Sequence, residues 1–465
     1  MTNSRATSRR RQFLTRSMQA ITGCSISGAL SALIAGPRDR QAPTAKPLPL
    51  VLSPDQATGL KLLALPHGFR YRSFAWTGDR LASGGLCPAQ HDGMAVIAED
   101  GPRVILCRNQ EVKTDCGAQP ESDWHYDRAA EGGCTNLSFD TETGEWREAW
   151  TSLAGTSKNC AGGPTPWHTW LSCEETILGP GLTSTDTKRV VNFQKTHGWI
   201  FEVAASGRSR AVPLKDMGRF IHEAVAVDPQ TGWVYETEDA DQAGFYRFQP
   251  RTPRKLADGG RLQMLQVPGV ADLRTQQTIG KIYDTKWVDI DNPRLDGVKD
   301  TDLEQGVFNQ GAQQGGATFT RLEGCWHSQG HVYLASTNGG DAKFGQIWRY
   351  TPAEEQLQLL FESPGIDVLD RPDNITMSPR GNLVLCEDGT RAPQRMQLLD
   401  AAGRLRVLAE NRIQLSGERN GLKGDFRAEE WTGACFSPDG KWLFANIQTP
   451  GITFAITGPW EELGI

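Results

Sequence analysis

Short apolar runs alternate with polar turns through most of this chain. Five stretches share one form: Ser138 to Trp146, Val227 to Tyr235, His327 to Leu334, Met377 to Leu385 and Phe436 to Phe444. Each passes from an apolar strand end, through a polar turn holding glycine, into a second apolar strand. Glycine supplies the positive φ that tight hairpins need. The last three recur at intervals of roughly 50 to 60 residues, and the step before them is about twice as long. That is the period of a four-stranded propeller blade. The pattern predicts an all-β fold, a β-propeller of six blades with loop insertions, with seven blades as the alternative. A two-sheet sandwich would not repeat the motif. Two stretches break the rhythm, Arg251 to Gly280 and Asp291 to Gly316. Both are polar and read as surface excursions between blades rather than a separate domain.

Composition sharpens this picture. The 465 residues include 50 glycines and 26 prolines, which favours many turns over long helices. Fourteen tryptophans suit packing between sheets. The net charge is −6, with no Lys/Arg block in the body, so nucleic acid is excluded as a partner. An anionic ligand would need local cations, from arginine or metal.

The first residues read as an address. Arg9, Arg10 and Arg11 precede Gln12-Phe13-Leu14, which gives Arg-Arg-x-Phe-Leu, the core of a twin-arginine export signal. A weakly apolar stretch from Met18 to Gly36 follows, too polar for a permanent span. Cleavage is expected around Ala35 or Ala45; Ile21-Thr22-Gly23-Cys24 loosely resembles a lipoprotein site, but the apolar run before it is short. Residues 1–45 are therefore assigned to signal and linker, and 50–465 to one domain. The expected location is periplasmic or secreted, with the twin-arginine translocase as partner during export and no membrane span in the mature, monomeric form. Nine cysteines remain beyond Cys24, an odd number, and no CxxC occurs. A zinc ribbon is excluded by spacing.

Candidate chemistry lies in acids placed just before apolar strands, where an unpaired charge is costly. Cys160 opens a glycine-proline loop and strand that end in Glu174 and Glu175. His222 and Glu223 start another strand, as do Arg321 and Glu323, Asp373 and Asn374, and Glu430. Such positions in successive blades would bring carboxylates to one channel mouth. Adjacent strand residues face opposite ways, so His222 is expected to be structural or to support a ligand from behind, rather than to bind metal beside Glu223. Glu236, Glu238 and Asp239 read either as calcium ligands or as a solvated turn.

These residues carry a resemblance. Asn159-Cys160-Ala161 through Thr165-Pro166-Trp167 to Cys173-Glu174-Glu175 is similar to the signature of the PhoX family of calcium- and iron-dependent alkaline phosphatases. So are Arg219-Phe220 with His222-Glu223, Arg321 with Glu323, Pro372-Asp373-Asn374-Ile375, His91-Asp92-Gly93-Met94 and Asn446 to Gly451. The resemblance spans about Leu60 to Trp460. It implies a phosphoric ester hydrolase with ferric iron and calcium held in a propeller channel. Cys160 would be the iron thiolate, Glu223 and Glu323 carboxylate ligands, and Asp373 a ligand of calcium or iron. Glu174 or Glu175 would complete the set. Arg321 would grip phosphate oxygens as the catalytic cation, with a metal-bound oxygen attacking phosphorus in a small-molecule phosphoester. Relatives often have Arg-Asn-His-Glu where this chain has Arg108-Asn109-Gln110-Glu111. Similar departures fall at His168, at Gly132-Gly133-Cys134-Thr135-Asn136 and at Leu322 and Gly324. They leave substrate range less secure than fold. The rival expectations are a calcium-dependent propeller lactonase, which needs no thiolate, and a non-catalytic ligand-binding propeller of the envelope.

Overall fold

The computed structural model describes residues 47–112, 124–180, 182, 193–295 and 306–465. The export segment, with Arg9 to Arg11, Cys24 and both candidate cleavage points, lies outside them. The described residues form a six-bladed β-propeller. From its innermost strand outward, blade 1 is His91–Asp100, Arg103–Gln110, Gly132–Asp140 and Glu145–Thr156. Blade 2 is Asn159–Pro164, Thr169–Glu174 and Ile200–Ala204. Blade 3 runs His222–Val227, Val234–Glu238, Phe245–Pro250 and Gly260–Gln266, with Lys286–Asp289 outside. Blade 4 runs Leu322–Ser328, His331–Ser336, Gln346–Thr351 and Gln356–Glu362, with Ile282–Asp284 outside. Blade 5 runs Pro372–Met377, Leu383–Glu387, Arg395–Leu399 and Leu405–Asn411, then Leu63–Pro66 and Leu50–Ser53. Blade 6 takes Trp431–Phe436, Leu443–Ile447 and Ile452–Thr457, and borrows Arg70–Phe74 as its outer strand. That last pairing, Thr453 against Phe74 through Thr457 against Arg70, closes the circle.

All five sequence hairpins are present. The doubled step between Val227 and His327 is not a hidden seventh blade; blade 3 simply sends out an extra strand and excursion before blade 4 begins. The two polar stretches carry more structure than their composition indicated. Gly260–Gln266 is a blade strand whose Leu262, Met264 and Leu265 are buried, and Gly306–Gln313 is a short helix. Tryptophans pack between blades as expected. Trp146 of blade 1 stacks on Phe74 of blade 6 at 5.0 Å, and Trp442 of blade 6 meets Phe139 of blade 1 edge-on at 4.9 Å. Eight described cysteines are free and buried, so no disulfide occurs among the described residues.

One local feature governs the centre. Every inner strand starts with a bulge against its neighbour: His91/Met94, Asn159/Gly162, His222/Val225, Leu322/Cys325, Pro372/Ile375 and Thr432/Cys435. Each bulge leaves two residues out of the ladder and re-aims a side chain. In blades 1 to 5 the first of those two is Asp92, Cys160, Glu223, Glu323 or Asp373; in blade 6 it is Gly433. Cross-blade bonds pin the bulges. Asn109 donates to the Ala161 carbonyl at 2.5 Å, Thr237 to Glu323 at 2.6 Å, Thr337 to Pro372 at 2.7 Å and Asn446 to Asp92 at 2.8 Å.

Candidate metal centre

Five bulges thus deliver five potential ligands to one end of the central channel. A second row comes from the residue just past each blade's second strand. Its amide donates to the residue before the inner strand: Glu111 to Gln90, Glu175 to Lys158, Asp239 to Ile221, Thr337 to Arg321, Asp388 to Arg371 and Gln448 to Glu430. Four of these are acids.

The two rows interlock. Four groups have ligand atoms all within 4.8 Å of one another: Asp92, Glu111 and Cys160; Cys160, Glu175 and Glu223; Glu223, Glu323 and Asp373; Asp373, Asp388 and Glu430. Neighbouring groups share Cys160, Glu223 or Asp373, so the acids form one continuous arc. The structure therefore brings together Cys160, Glu175, Glu223, Glu323 and Asp373, and adds Glu430. It also adds Asp92, Glu111 and Asp388, which sequence reasoning did not assign. The available signal was repetition: Gln110-Glu111, Glu174-Glu175, Glu238-Asp239 and Glu387-Asp388 all end a second strand.

The same pairs correct the placement of Glu174. Strand alternation turns Glu174 away from Glu175 and into the blade interface. Its Oε1 accepts from the Ser157 amide at 2.9 Å and meets His197 Nδ1 at 2.6 Å; its Oε2 accepts from the amides of Gly198 and Trp199. Both oxygens are occupied by the protein, and Glu175 alone joins the cluster. His197 also meets Asp127 at 3.4 Å. Burial opposes the imidazolium, but Glu174 and Asp127 outweigh it and push its pKa up to about 9. His222 lies outside the arc: Nε2 lies 3.1 Å from the Gly218 carbonyl and the ring rests on Phe220. Glu236 and Glu238 are fully buried on that same far side, Glu238 bonded by Tyr246 at 2.7 Å. Neither is a solvated turn.

Arg321 stands at the mouth, 31% exposed. It donates from Nε to Asp239 at 2.8 Å and from Nη2 to Glu323 at 2.6 Å. Lys158 Nζ lies 3.2 Å from Glu175. Burial, then the neighbouring acid Glu175, raises Asp239 to about 6 even with Arg321 alongside.

The decisive observation is at the middle of the arc. Glu223 is completely buried, and neither oxygen has a hydrogen-bond partner. Burial first, then the charges of Glu323, Asp373, Glu175 and Asp92, push its pKa far up. Cys160 is pushed up by burial and then by Asp92 and Glu223. Unaided, such a crowd would hold protons. Multivalent cations among them would reverse that preference and satisfy the orphaned oxygens. One thiol with carboxylates suits iron, and the oxygen-only groups suit calcium. The residues fit a multi-metal site.

The profile of the family described as Alkaline phosphatase PhoX matches residues 48–149 and 147–451. This chain belongs to the PhoX alkaline phosphatase family. Its fold is similar to that of Pseudomonas fluorescens PhoX, solved in complex with vanadate, a transition state analogue. The two share a TM-score of 0.64 and 20% identity over 90% of this chain and 98% of that one. The gluconolactonase XC5397 from Xanthomonas campestris is far more distant, at TM-score 0.39 and 12% identity over 90% and 99%. No curated protein sequence matches. Gln110, before the acid Glu111, is fully buried and donates to Thr135 at 2.6 Å. Glu111 itself is held by Gln448 at 2.7 Å.

Proposed function

We propose that this PhoX-family chain is an exported, metal-dependent phosphatase that hydrolyses small-molecule phosphoesters. The observation that carries metal dependence is Glu223, buried with both oxygens unpartnered inside overlapping acid groups. Cys160, Glu175, Glu223, Glu323 and Asp373, with Asp92, Glu111, Asp388 and Glu430, would hold ferric iron and calcium. Bound cations of this kind supply Lewis-acid charge for the phosphoryl oxygens and lower the pKa of a water nucleophile. The chain's own contribution is rigidity and charge. Bulges fixed by cross-blade bonds hold the carboxylates without reorganisation, and Arg321, itself oriented by Asp239, keeps Nη1 available for a phosphoryl oxygen. Removing such a contact costs about 2 to 4 kcal/mol of transition-state binding. No histidine base is needed, and none stands in the arc among the described residues.

The test is elemental analysis of the purified mature protein together with turnover of p-nitrophenyl phosphate. Iron and calcium should both be bound, and a chelator should abolish turnover. Absence of hydrolysis of any phosphomonoester or diester with both metals loaded overturns the reading. Calcium without iron would favour a lactonase. For export, replacing Arg10 and Arg11 by lysine should leave the protein in the cytoplasm.

A further inference from the structure

Cys160 is the only sulfur in the arc among the described residues, and it belongs to two of the four ligand groups. Its placement therefore sets the spacing of both. Its strand opens with the bulge Asn159/Gly162, so Cys160 and Ala161 stand outside the ladder and need another hold.

That hold comes from the neighbouring blade. Asn109, on strand Arg103–Gln110 of blade 1, spends both amide hydrogens on blade 2. Its Nδ2 donates to the Ala161 carbonyl at 2.5 Å and to the Cys160 carbonyl at 3.2 Å. The two peptide planes that flank Ala161 are thereby fixed. Its Oδ1 is held in turn by three donors: Trp170 Nε1 at 2.9 Å, Ser172 Oγ at 2.9 Å and Cys134 Sγ at 3.0 Å. An indole N–H can only donate, so this set decides which end of the amide faces the carbonyls. Ser172 also accepts from Asn159 Nδ2 at 2.8 Å. The residues on either side of Cys160 are thus tied to one amide. Asn109, Cys134, Asn159 and Ser172 have no exposed surface, so bulk water cannot take the place of a lost bond.

We infer that Asn109 is a positioning residue, whose amide fixes the Cys160 thiolate so that the sulfur end of the arc takes iron. This rests on the metal centre proposed above. Asn109→Asp keeps the shape and the three donors but turns a carboxylate oxygen toward two carbonyl oxygens. The metal-loaded protein is compared with Asn109→Asp and Ser172→Ala for affinity toward iron and calcium and for the visible thiolate-to-iron absorption. Asn109→Asp should weaken iron binding by about ten- to a hundredfold and shift or bleach the absorption. Calcium should be retained, because the oxygen-only group of Asp373, Asp388 and Glu430 lies at the other end of the arc. Ser172→Ala should act in the same direction and less strongly. A folded Asn109→Asp protein that matches the wild type in iron affinity and absorption overturns the inference. So does equal loss of iron and calcium, the result of a general loosening between blades 1 and 2. Where Asn109→Asp does not fold, Ser172→Ala decides by the same criteria. Cadmium added to the chelator-treated protein is a second probe, its ultraviolet sulfur-to-metal absorption assigned by its loss in Cys160→Ala. A wild type that takes cadmium at Cys160 but no iron sinks the iron reading alone, and the Asn109→Asp effect is then read on the cadmium band. A wild type whose Cys160 takes neither metal overturns both.

Discussion

Glu223 has no protein donor for either oxygen, so its charge in the folded chain depends on a cation. A carboxylate whose folded pKa is raised stabilises the fold below its unfolded pKa and loses that contribution as pH rises. In the metal-free protein at pH 8, Glu223→Gln should therefore raise the melting temperature by several degrees. With iron and calcium loaded, the same substitution should lower it and reduce metal content. A variant that shifts both states alike, followed by calorimetry, would contradict the metal role. His197 works in the opposite sense. Its pKa, near 6.5 when unfolded, is about 9 when folded. The Asp127–His197–Glu174 contacts thus add stability that is complete below pH 6.5 and fades as pH passes 9. The difference between wild type and His197→Gln should be on the order of 3 kcal/mol at pH 6 and shrink steeply by pH 10, read by urea unfolding. Glu174 shows what sequence left open at this scale. Two adjacent acids are equivalent as letters, and only strand pairing decides which one faces the cluster.

At the scale of elements, the bulge is the device that matters. Most of its donors were legible because an acid before an apolar strand is out of place unless it has work to do: Glu223, Glu323 and Asp373 were read that way, as was Glu430 just ahead of the blade 6 strand, and Cys160 from its glycine-proline loop. Asp92, Glu111 and Asp388 were not, because their neighbours resemble ordinary polar strand ends. What identifies them is register, and register is a property of two strands together. The bulges also demand small residues. A Cβ on Gly324, beside Glu323, would sit 2.4 Å from the Asp373 carbonyl oxygen, and one on Gly93, beside Asp92, 2.5 Å from Ala161 Cα. Gly324→Ala should cost about 1 to 3 kcal/mol by overpacking, and should push Glu323 and Asp373 apart. The expected result is a lower midpoint in urea with a disproportionate loss of bound metal. Retention of full metal content would show that the spacing is not set by this contact.

At the scale of the whole molecule, the arc is assembled from all six blades, so cation binding and ring integrity are coupled. Binding at a hundred times Kd adds about 2.7 kcal/mol to the native state. Removing metals with a chelator should therefore lower the melting temperature, and calcium titrated back should restore it in a concentration-dependent way, followed by scanning calorimetry. An unchanged transition would mean that the blades hold together without the ions. Hairpin spacing and chain length favoured six blades with seven left open, whereas the strand Gly260–Gln266 and the added outer strand Lys286–Asp289 of blade 3 were missed, the first because it is polar enough to pass for a loop.

The borrowed strand of blade 6 has a consequence for the order of events in the cell. Arg70–Phe74 leaves the ribosome early and waits, edge exposed, until Ile452–Thr457 emerges to pair with it. Until then Asp92 and Glu430, at opposite ends of the polypeptide, have no reason to be neighbours. A chain ending short of Ile452 could not close the ring, and the group of Asp373, Asp388 and Glu430 would have no fixed place beside that of Asp92, Glu111 and Cys160.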